Sequence, residues 1–425
     1  MTALLPADDT TATRDELRQV LDQGGVRSVF QPIVDLASGR VSAYEALARG
    51  PVGSLERPDH LFAAARQHGL LAELDAACRA AALRGALEHG LLDPLTLFVN
   101  VEPEVLERTP LRELVEVAER APGVLRVVLE ITERALTARP AELLHTVRRV
   151  RELGWGVALD DVGAESASLA FLEVVRPDVV KLDLGLVQRR PDRAVAEIMN
   201  AVNAYAERSG AQLLAEGIET EEHLRAAEAL GATLGQGWLF GRPTDQPAGP
   251  AEVPVLPLDL SGTTSSPSWN AASPFDCLPS GTVLRRSTKR LLVQLSIQLE
   301  REAQGLGGTC VVASTFQHAR HFTPDTARRY GRLAERAAFV CVLGEDLPTE
   351  PLPGLRGAQL AAGDPVREEW DVTVLSPHFS AALLARDLHG DGPELDRVFE
   401  YALTYRRDTV VAATQTLLAR VAPRC

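Results

Sequence analysis

The sequence predicts an α/β protein: a large unit of repeated strand–helix pairs followed by a smaller α/β domain. Two observations carry this. Residues 27–243 alternate apolar strand-like runs with amphipathic helical runs, and a Pro/Gly/Ser-rich stretch then separates them from a second set of mixed elements. At 425 residues the chain is long enough for two or three full-sized cores.

In the first unit the strands read "VRSVFQPIVDL", "VSAYEALARG", "LTLFVNVEP", "LRVVLEITER", "WGVALDDVG", "VVKLDLGLV" and "AQLLAEGIET". Between most of them lie stretches such as "AELLHTVRRVRELG", apolar at i, i+3, i+4 spacing. Repeated βα units of this kind imply a parallel sheet covered by helices, open or closed. From Arg242 to about Gly281 proline, glycine and serine are dense and periodicity vanishes, the texture of a linker. Beyond it come a helix "STKRLLVQLSIQLEREAQ" and strands "TCVVAST", "AAFVCVLG" and "EWDVTVLSP". A helical run "ELDRVFEYALTYRRDTVVAATQTLLARV" closes the chain. The expected boundaries are a tail over 1–14, the first unit over 15–245, a linker over 246–281 and the second domain over 282–425.

Composition narrows the function. The net charge of −14 argues against nucleic-acid or anionic-membrane binding, because no basic surplus exists to neutralise phosphates. The first residues lack the basic and apolar regions of a secretory signal, and no apolar run is long enough to span a membrane. The five cysteines are scattered, with no CxxC pair. They read as buried thiols in a reducing cytoplasm. His318 and His321 in "HARH" could share a helix face, but without further ligands they read as structural.

The strands of the first unit end on polar residues: Glu45, Asn100, Glu130 and Glu133, Asp160–Asp161, Lys181, Glu216 and Glu219, then Gln236. In a closed parallel barrel the strand C-termini open on one face, where chemistry sits. Taken singly, Asp161 also reads as a helix cap and Lys181 as a surface lysine. Gathered together, the carboxylates would repel one another by several kcal/mol unless cations compensate them. Oxygen ligands without histidine or thiolate point to Mg²⁺ or Mn²⁺. Adjacent aspartates suit two ions, and two-ion carboxylate sites commonly hydrolyse phosphate esters.

These motifs resemble a known family. "QPIVDLASGRVSAYEALAR", "FVNVEP", "LEITE", "ALDDVG", "VVKLD", "AEGIET" and "QGWLFGRP" follow the order and spacing of the EAL-domain cyclic di-GMP phosphodiesterases, over roughly residues 15–245. The resemblance implies a modified (β/α)8 TIM-like barrel that opens cyclic di-GMP to linear pGpG with two Mg²⁺ or Mn²⁺ ions. It assigns metal ligation to Glu45, Asn100, Glu130, Asp160, Asp161 and Glu216, and orientation of the attacking water to Lys181. Gln31 and Arg49 would hold the phosphodiester ring, with Glu219 and Gln236 lining the pocket. Glu133 would anchor the loop after Asp161, which in the family also takes part in homodimer contacts.

That loop departs from the family's D-D-F-G-T-G-Y-S-S: this chain reads "DDVGAESAS", with Val162, Ala164, Glu165 and Ser166 at altered positions. The lost glycine stiffens the turn, and the lost threonine removes a hydroxyl that could bond Glu133. Residues 282–425 resemble the DICT sensory domain, which implies signal input of unspecified kind. The leading reading is therefore a cytoplasmic enzyme regulated by its C-terminal domain. The alternative is a cyclic di-GMP receptor whose altered loop has cost it catalysis.

Overall fold

The computed structural model describes residues 7–105, 123–132, 137–163, 167–189, 192–260, 271–389 and 393–422. Eight strands close into a barrel in chain order: β1 (Arg27–Asp35), β2 (Val41–Arg49), β3 (Thr96–Asn100), β4 (Arg126–Thr132), β5 (Gly156–Val162), β6 (Val179–Leu182), β7 (Gln212–Ala215) and β8 (Leu234–Gln236). Strand β1 runs antiparallel to both neighbours, while β2 through β8 are parallel. One strand end therefore does not open on the common face. The tight turn after Asp35 dictates this, since it can join only antiparallel partners.

The barrel interior is layered. Ile33, Ala43, Phe98, Val128, Ala158, Val179, Leu214 and Leu234 supply one buried side chain per strand to a single apolar cluster. Side chains two residues apart on a strand share a face. The next inward positions on β2 through β8 are therefore Glu45, Asn100, Glu130, Asp160, Lys181, Glu216 and Gln236. On the reversed β1 the same layer is reached two residues earlier, at Gln31. A polar layer thus rests on an apolar floor.

The stretch 246–260 of the expected linker packs as part of the barrel. Thr244 exchanges backbone hydrogen bonds with Phe30, the Val41 N–H donates to Pro254, and Leu256 donates to the Val41 carbonyl. Leu258 is 3% exposed and joins the floor cluster, closing the end opposite the polar layer. Its sequence "VPVLPLDL" lacks helix or strand periodicity because it crosses a barrel end rather than joining a sheet.

The second domain is a seven-stranded sheet in the order β12-β11-β10-β13-β14-β15-β9. The strands are β9 (Arg285–Thr288), β10 (Val311–His318), β11 (Phe339–Glu345), β12 (Arg356–Gln359), β13 (Glu369–Leu375), β14 (Ser380–Asp387) and β15 (Val398–Thr404). The closing helical run is corrected here: Phe399 and Tyr401 alternate inward on β15, and the helix covers only Arg407–Leu418. The helices Lys289–Leu306 and Pro324–Ala334 contribute to one apolar cluster of the sheet. The helix Arg407–Leu418 belongs to another, continuous with Phe171 and Val174 of the barrel. The two domains share that core.

The cysteines are unpaired among the described residues; Cys310 and Cys341 are buried, and Cys425 lies outside them. His318 ends β10 and His321 lies in a separate turn, so they do not share a helix face. Among the described residues no helix is long and apolar enough to cross a membrane.

Candidate active site

Lys181 stands at the centre of the polar layer, 1% exposed. Its ammonium lies 2.8 Å from Glu216, 3.0 Å from Glu130, 3.1 Å from Asp160 and 3.6 Å from Glu45. Burial alone would lower its pKa, but the four carboxylates outweigh that and hold it well above the usual lysine value.

The carboxylates respond unequally. Burial would raise the Glu45 carboxyl, yet the Lys181 charge and hydrogen bonds hold it below the usual range. Asn100 Nδ2 donates to its Oε1 at 3.0 Å and Gln236 Nε2 to its Oε2 at 2.7 Å. Glu130 is pushed well above the ordinary carboxylate value by burial and by the Glu45 charge. Its buried oxygens receive no well-directed hydrogen bond; the Lys181 ammonium is their close cationic contact. Burial pushes Glu216 up to about 7 against the pull of Lys181.

Asp161 is one residue out of the layer's period and should point away. A register shift between Leu159 and Val162 on β5, with Asp161 in the left-handed region at φ 58°, brings it back. Its N–H donates to Asp160 Oδ1 at 3.0 Å. As a result one oxygen each of Asp160, Asp161 and Glu216 lie within 4.8 Å of one another. A strained non-glycine residue beside acids is a mark of functional sites.

Gln236 Nε2 also donates to Gln31 Oε1 at 3.2 Å, and Gln31 Nε2 donates to the Gly241 carbonyl at 3.1 Å. Gly237 follows at φ 156°, where an added Cβ would sit 2.1 Å from the Ile218 carbonyl oxygen. That close approach ties Gln236 to the loop carrying Glu216, so only glycine fits.

A cleft of about 590 Å³ opens beside the layer, lined by Asn100, Asp161, Thr132 and Arg49. The Arg49 guanidinium donates to its neighbour's carbonyl and has no carboxylate partner among the described residues. Arg66, Arg79, Glu102 and Arg139 also line it, and sequence reasoning missed them. Arg79 forms a buried ion pair with Asp75 at 2.8 Å. Their i,i+4 spacing in the Ala/Leu-rich "LDAACRAAALRG" was a readable signal. Arg66 and Arg139 carried none.

One expected residue is not gathered in. Glu219 is exposed on the loop after β7, where its N–H donates to His223 Nδ1. Glu133, Ala164, Glu165 and Ser166 lie outside the described residues. Val162 is fully buried against Leu169, Leu172 and Leu182, turned away from the polar layer.

Residues 14–243 match the EAL domain. Residues 278–388 match the DICT domain, described as a sensory domain in diguanylate cyclases and two-component systems. Cyclic di-GMP phosphodiesterase NbdA of Pseudomonas aeruginosa is 32% identical over 250 residues, covering 56% of this chain and 32% of that protein. Cyclic di-GMP phosphodiesterase RocR of the same organism is 32% identical over 230 residues, covering 52% of this chain and 58% of that protein. The chain therefore spans less than two thirds of either relative. The EAL enzyme Bd1971, solved with cAMP and cyclic di-GMP, is 22% identical with a TM-score of 0.50, covering 56% of this chain and 68% of that one. That likeness is one of fold.

Proposed function

Because this chain belongs to the EAL-domain family, we propose that it is a cytoplasmic, cation-dependent hydrolase that opens cyclic di-GMP to linear pGpG. The observation that carries the proposal is the gathering of five carboxylates in one buried polar layer. Glu45, Glu130, Asp160 and Glu216 surround the Lys181 ammonium, and Asp161 lies beside Asp160 and Glu216. That ammonium is a stand-in for stronger cations. Two divalent ions would keep the carboxylates ionised and offset their charge, and the ligand atoms are all oxygens, which fits Mg²⁺ or Mn²⁺. Glu45, Asn100, Glu130 and Asp160 would hold one ion; Asp160, Asp161 and Glu216 would hold the other. Bound there, the ions supply charge stabilisation to the attacking and leaving oxygens of an in-line displacement.

The chain's own residues do the positioning. Gln236 and Asn100 hold Glu45 ionised and oriented. Lys181 orients the attacking water by donating to it. The water oxygen forms the new P–O bond, a ribose oxygen departs opposite it, and the water's proton passes to a carboxylate of the layer. Arg49, with no carboxylate partner among the described residues, grips the phosphodiester from the cleft, while Gln31 and Gln236 border the substrate at the floor. Glu219 acts from the rim, through its loop.

Regulation by the second domain is supported by what it grips. The helix Ser168–Val175 begins just past the Asp160–Asp161 bulge, and every residue in it is buried. Phe339 of the second domain meets Phe171 edge to face at 6.2 Å, and Arg407 pairs with Glu173 at 3.1 Å. Arg356 also donates to the Thr137 carbonyl of the barrel at 2.7 Å. A shift of the second domain would thus reach the strand that carries Asp160 and Asp161. A homodimer through the barrel would leave the helix Ser168–Val175 out of its contact, since that helix is covered within one chain.

The test is nucleotide chromatography of cyclic di-GMP incubated with the full chain. Product pGpG with Mg²⁺ or Mn²⁺, and none with a chelator, supports the enzyme. Tight binding without product under either ion would make the protein a receptor.

A further inference from the structure

Of the chain's 44 lysines and arginines only two are lysine, Lys181 and Lys289. The first centres the polar layer. Lys289, which opens the helix Lys289–Leu306, is also buried, at 5% exposed. It lines a cavity of about 540 Å³ bounded by that helix, β10, the helix Pro324–Ala334 and β13. That volume suits a small molecule.

The cavity walls are aromatic. Phe316 and Tyr330 meet edge to face at 5.3 Å, and Trp370 forms another wall. Their polar atoms are already spent: Tyr330 donates to Ser314 Oγ at 2.7 Å, and the Trp370 indole N–H donates to Ser296 Oγ at 3.0 Å. These bonds fix the rings in the cavity wall and leave it apolar there.

The charge at the mouth does not balance. Arg329 is committed to buried Glu300 at 2.6 Å. Asp325 is exposed and paired with Arg328. Lys289 contacts Glu394 and lies 5.2 Å from the Trp370 ring. The same Glu394 oxygen also serves His321 at 3.2 Å and Arg397 at 3.3 Å. Arg320, also on the wall, has no carboxylate within ion-pairing distance among the described residues. Three lining cations, Lys289, Arg320 and Arg329, therefore face two available carboxylates. Glu394 is half-exposed, so an incoming anion displaces it at little cost. Burial, outweighing Glu394, lowers the Lys289 pKa, as expected of an under-compensated ammonium.

We propose that this cavity is a ligand site for a planar aromatic monoanion of small-metabolite size. Its ring lies between Trp370 and the Phe316–Tyr330 pair. Its anionic group takes the place of Glu394 on Lys289, with Arg320 beside it. The site uses the second domain's residues alone and does not depend on what the barrel hydrolyses.

Fluorescence titration of the full chain tests this with anilinonaphthalene sulfonate and its uncharged counterpart phenylnaphthylamine. Wild type should bind the sulfonate saturably. Lys289→Met should weaken the sulfonate about tenfold or more, the worth of a charge-assisted bond, and leave the neutral amine within about twofold. Glu394→Gln, which removes the internal competitor, should tighten sulfonate binding, a sign that a misfolded variant would not give. Equal sulfonate affinity in wild type and Lys289→Met, equal weakening of both probes, or weaker sulfonate binding in Glu394→Gln would each overturn the proposal.

Discussion

Gln415 of the second domain donates its side-chain amide to the Val174 carbonyl of the barrel at 2.7 Å, with both residues buried. The bond satisfies a carbonyl near the end of the helix that follows Asp160 and Asp161. Replacing Gln415 by Leu leaves that carbonyl unpaired, at a cost of about 1–3 kcal/mol. The expected outcome is a lowered kcat for pGpG formation with little change in KM for cyclic di-GMP, because the helix backs the strand of Asp160 and Asp161 and not Arg49, on the other side of the cleft. Steady-state kinetics checks it; an unaltered kcat in a measurably destabilised variant would disconnect the two domains.

If the Lys181 ammonium stands in for bound cations, its removal should be felt most without metal. Lys181→Met strands buried carboxylates, and breaking such a pair costs about 3–5 kcal/mol. In chelator the variant should unfold at markedly lower urea than wild type. Added Mn²⁺ should restore more stability to the variant than it adds to wild type, while turnover stays lost. An equal gain in both proteins would mean that the ion does not enter this layer.

Asp161 combines two roles that substitutions separate. At φ 58° asparagine is tolerated, whereas alanine is strained by about 1–2 kcal/mol. Asp161→Asn should therefore match wild-type stability and Asp161→Ala should fall below it. Both should lose most turnover through the missing carboxylate. Urea denaturation beside product chromatography separates strain from chemistry.

In the second domain Asp371 is fully buried on β13, and its oxygens receive no well-directed hydrogen bond. Burial, reinforced by the Glu369 charge and partly offset by Arg386, pushes its carboxyl well above the usual range. A raised folded value means the folded state holds a proton that the unfolded chain releases near pH 4. Stability from this group is thus present below about pH 4 and is lost as pH rises toward the folded value. Asp371→Asn cannot ionise. Its stability should fall less steeply from pH 5 to 8 than wild type's, by up to about 1.4 kcal/mol per pH unit. Parallel slopes would show that Asp371 is ionised in the fold.

Much of the barrel was legible because polar residues ended successive apolar runs, and a strand period of two puts Glu45, Asn100, Glu130, Asp160, Lys181, Glu216 and Gln236 in one layer. Other features depend on contacts that local pattern does not carry. The reversal of β1 follows from a tight turn, yet its run "VRSVFQPIVDL" reads the same in either direction. The bulge at Asp161 is a matter of pairing with β6. The 246–260 segment looked like linker because its prolines block regular structure, although Leu258 plugs the barrel floor. The run from Glu394 was read as helix because Arg407–Leu418 is one, and the alternation at Phe399 and Tyr401 was too short to outweigh it.

Anomalous diffraction from crystals of the full chain grown with Mn²⁺ tests the central claim most directly. Two peaks are expected in the polar layer. One should lie among Glu45, Asn100, Glu130 and Asp160, the other among Asp160, Asp161 and Glu216, with Asp160 bridging. A layer without a peak, its carboxylates still gathered on the Lys181 ammonium at saturating Mn²⁺, would contradict a cation-dependent hydrolytic centre.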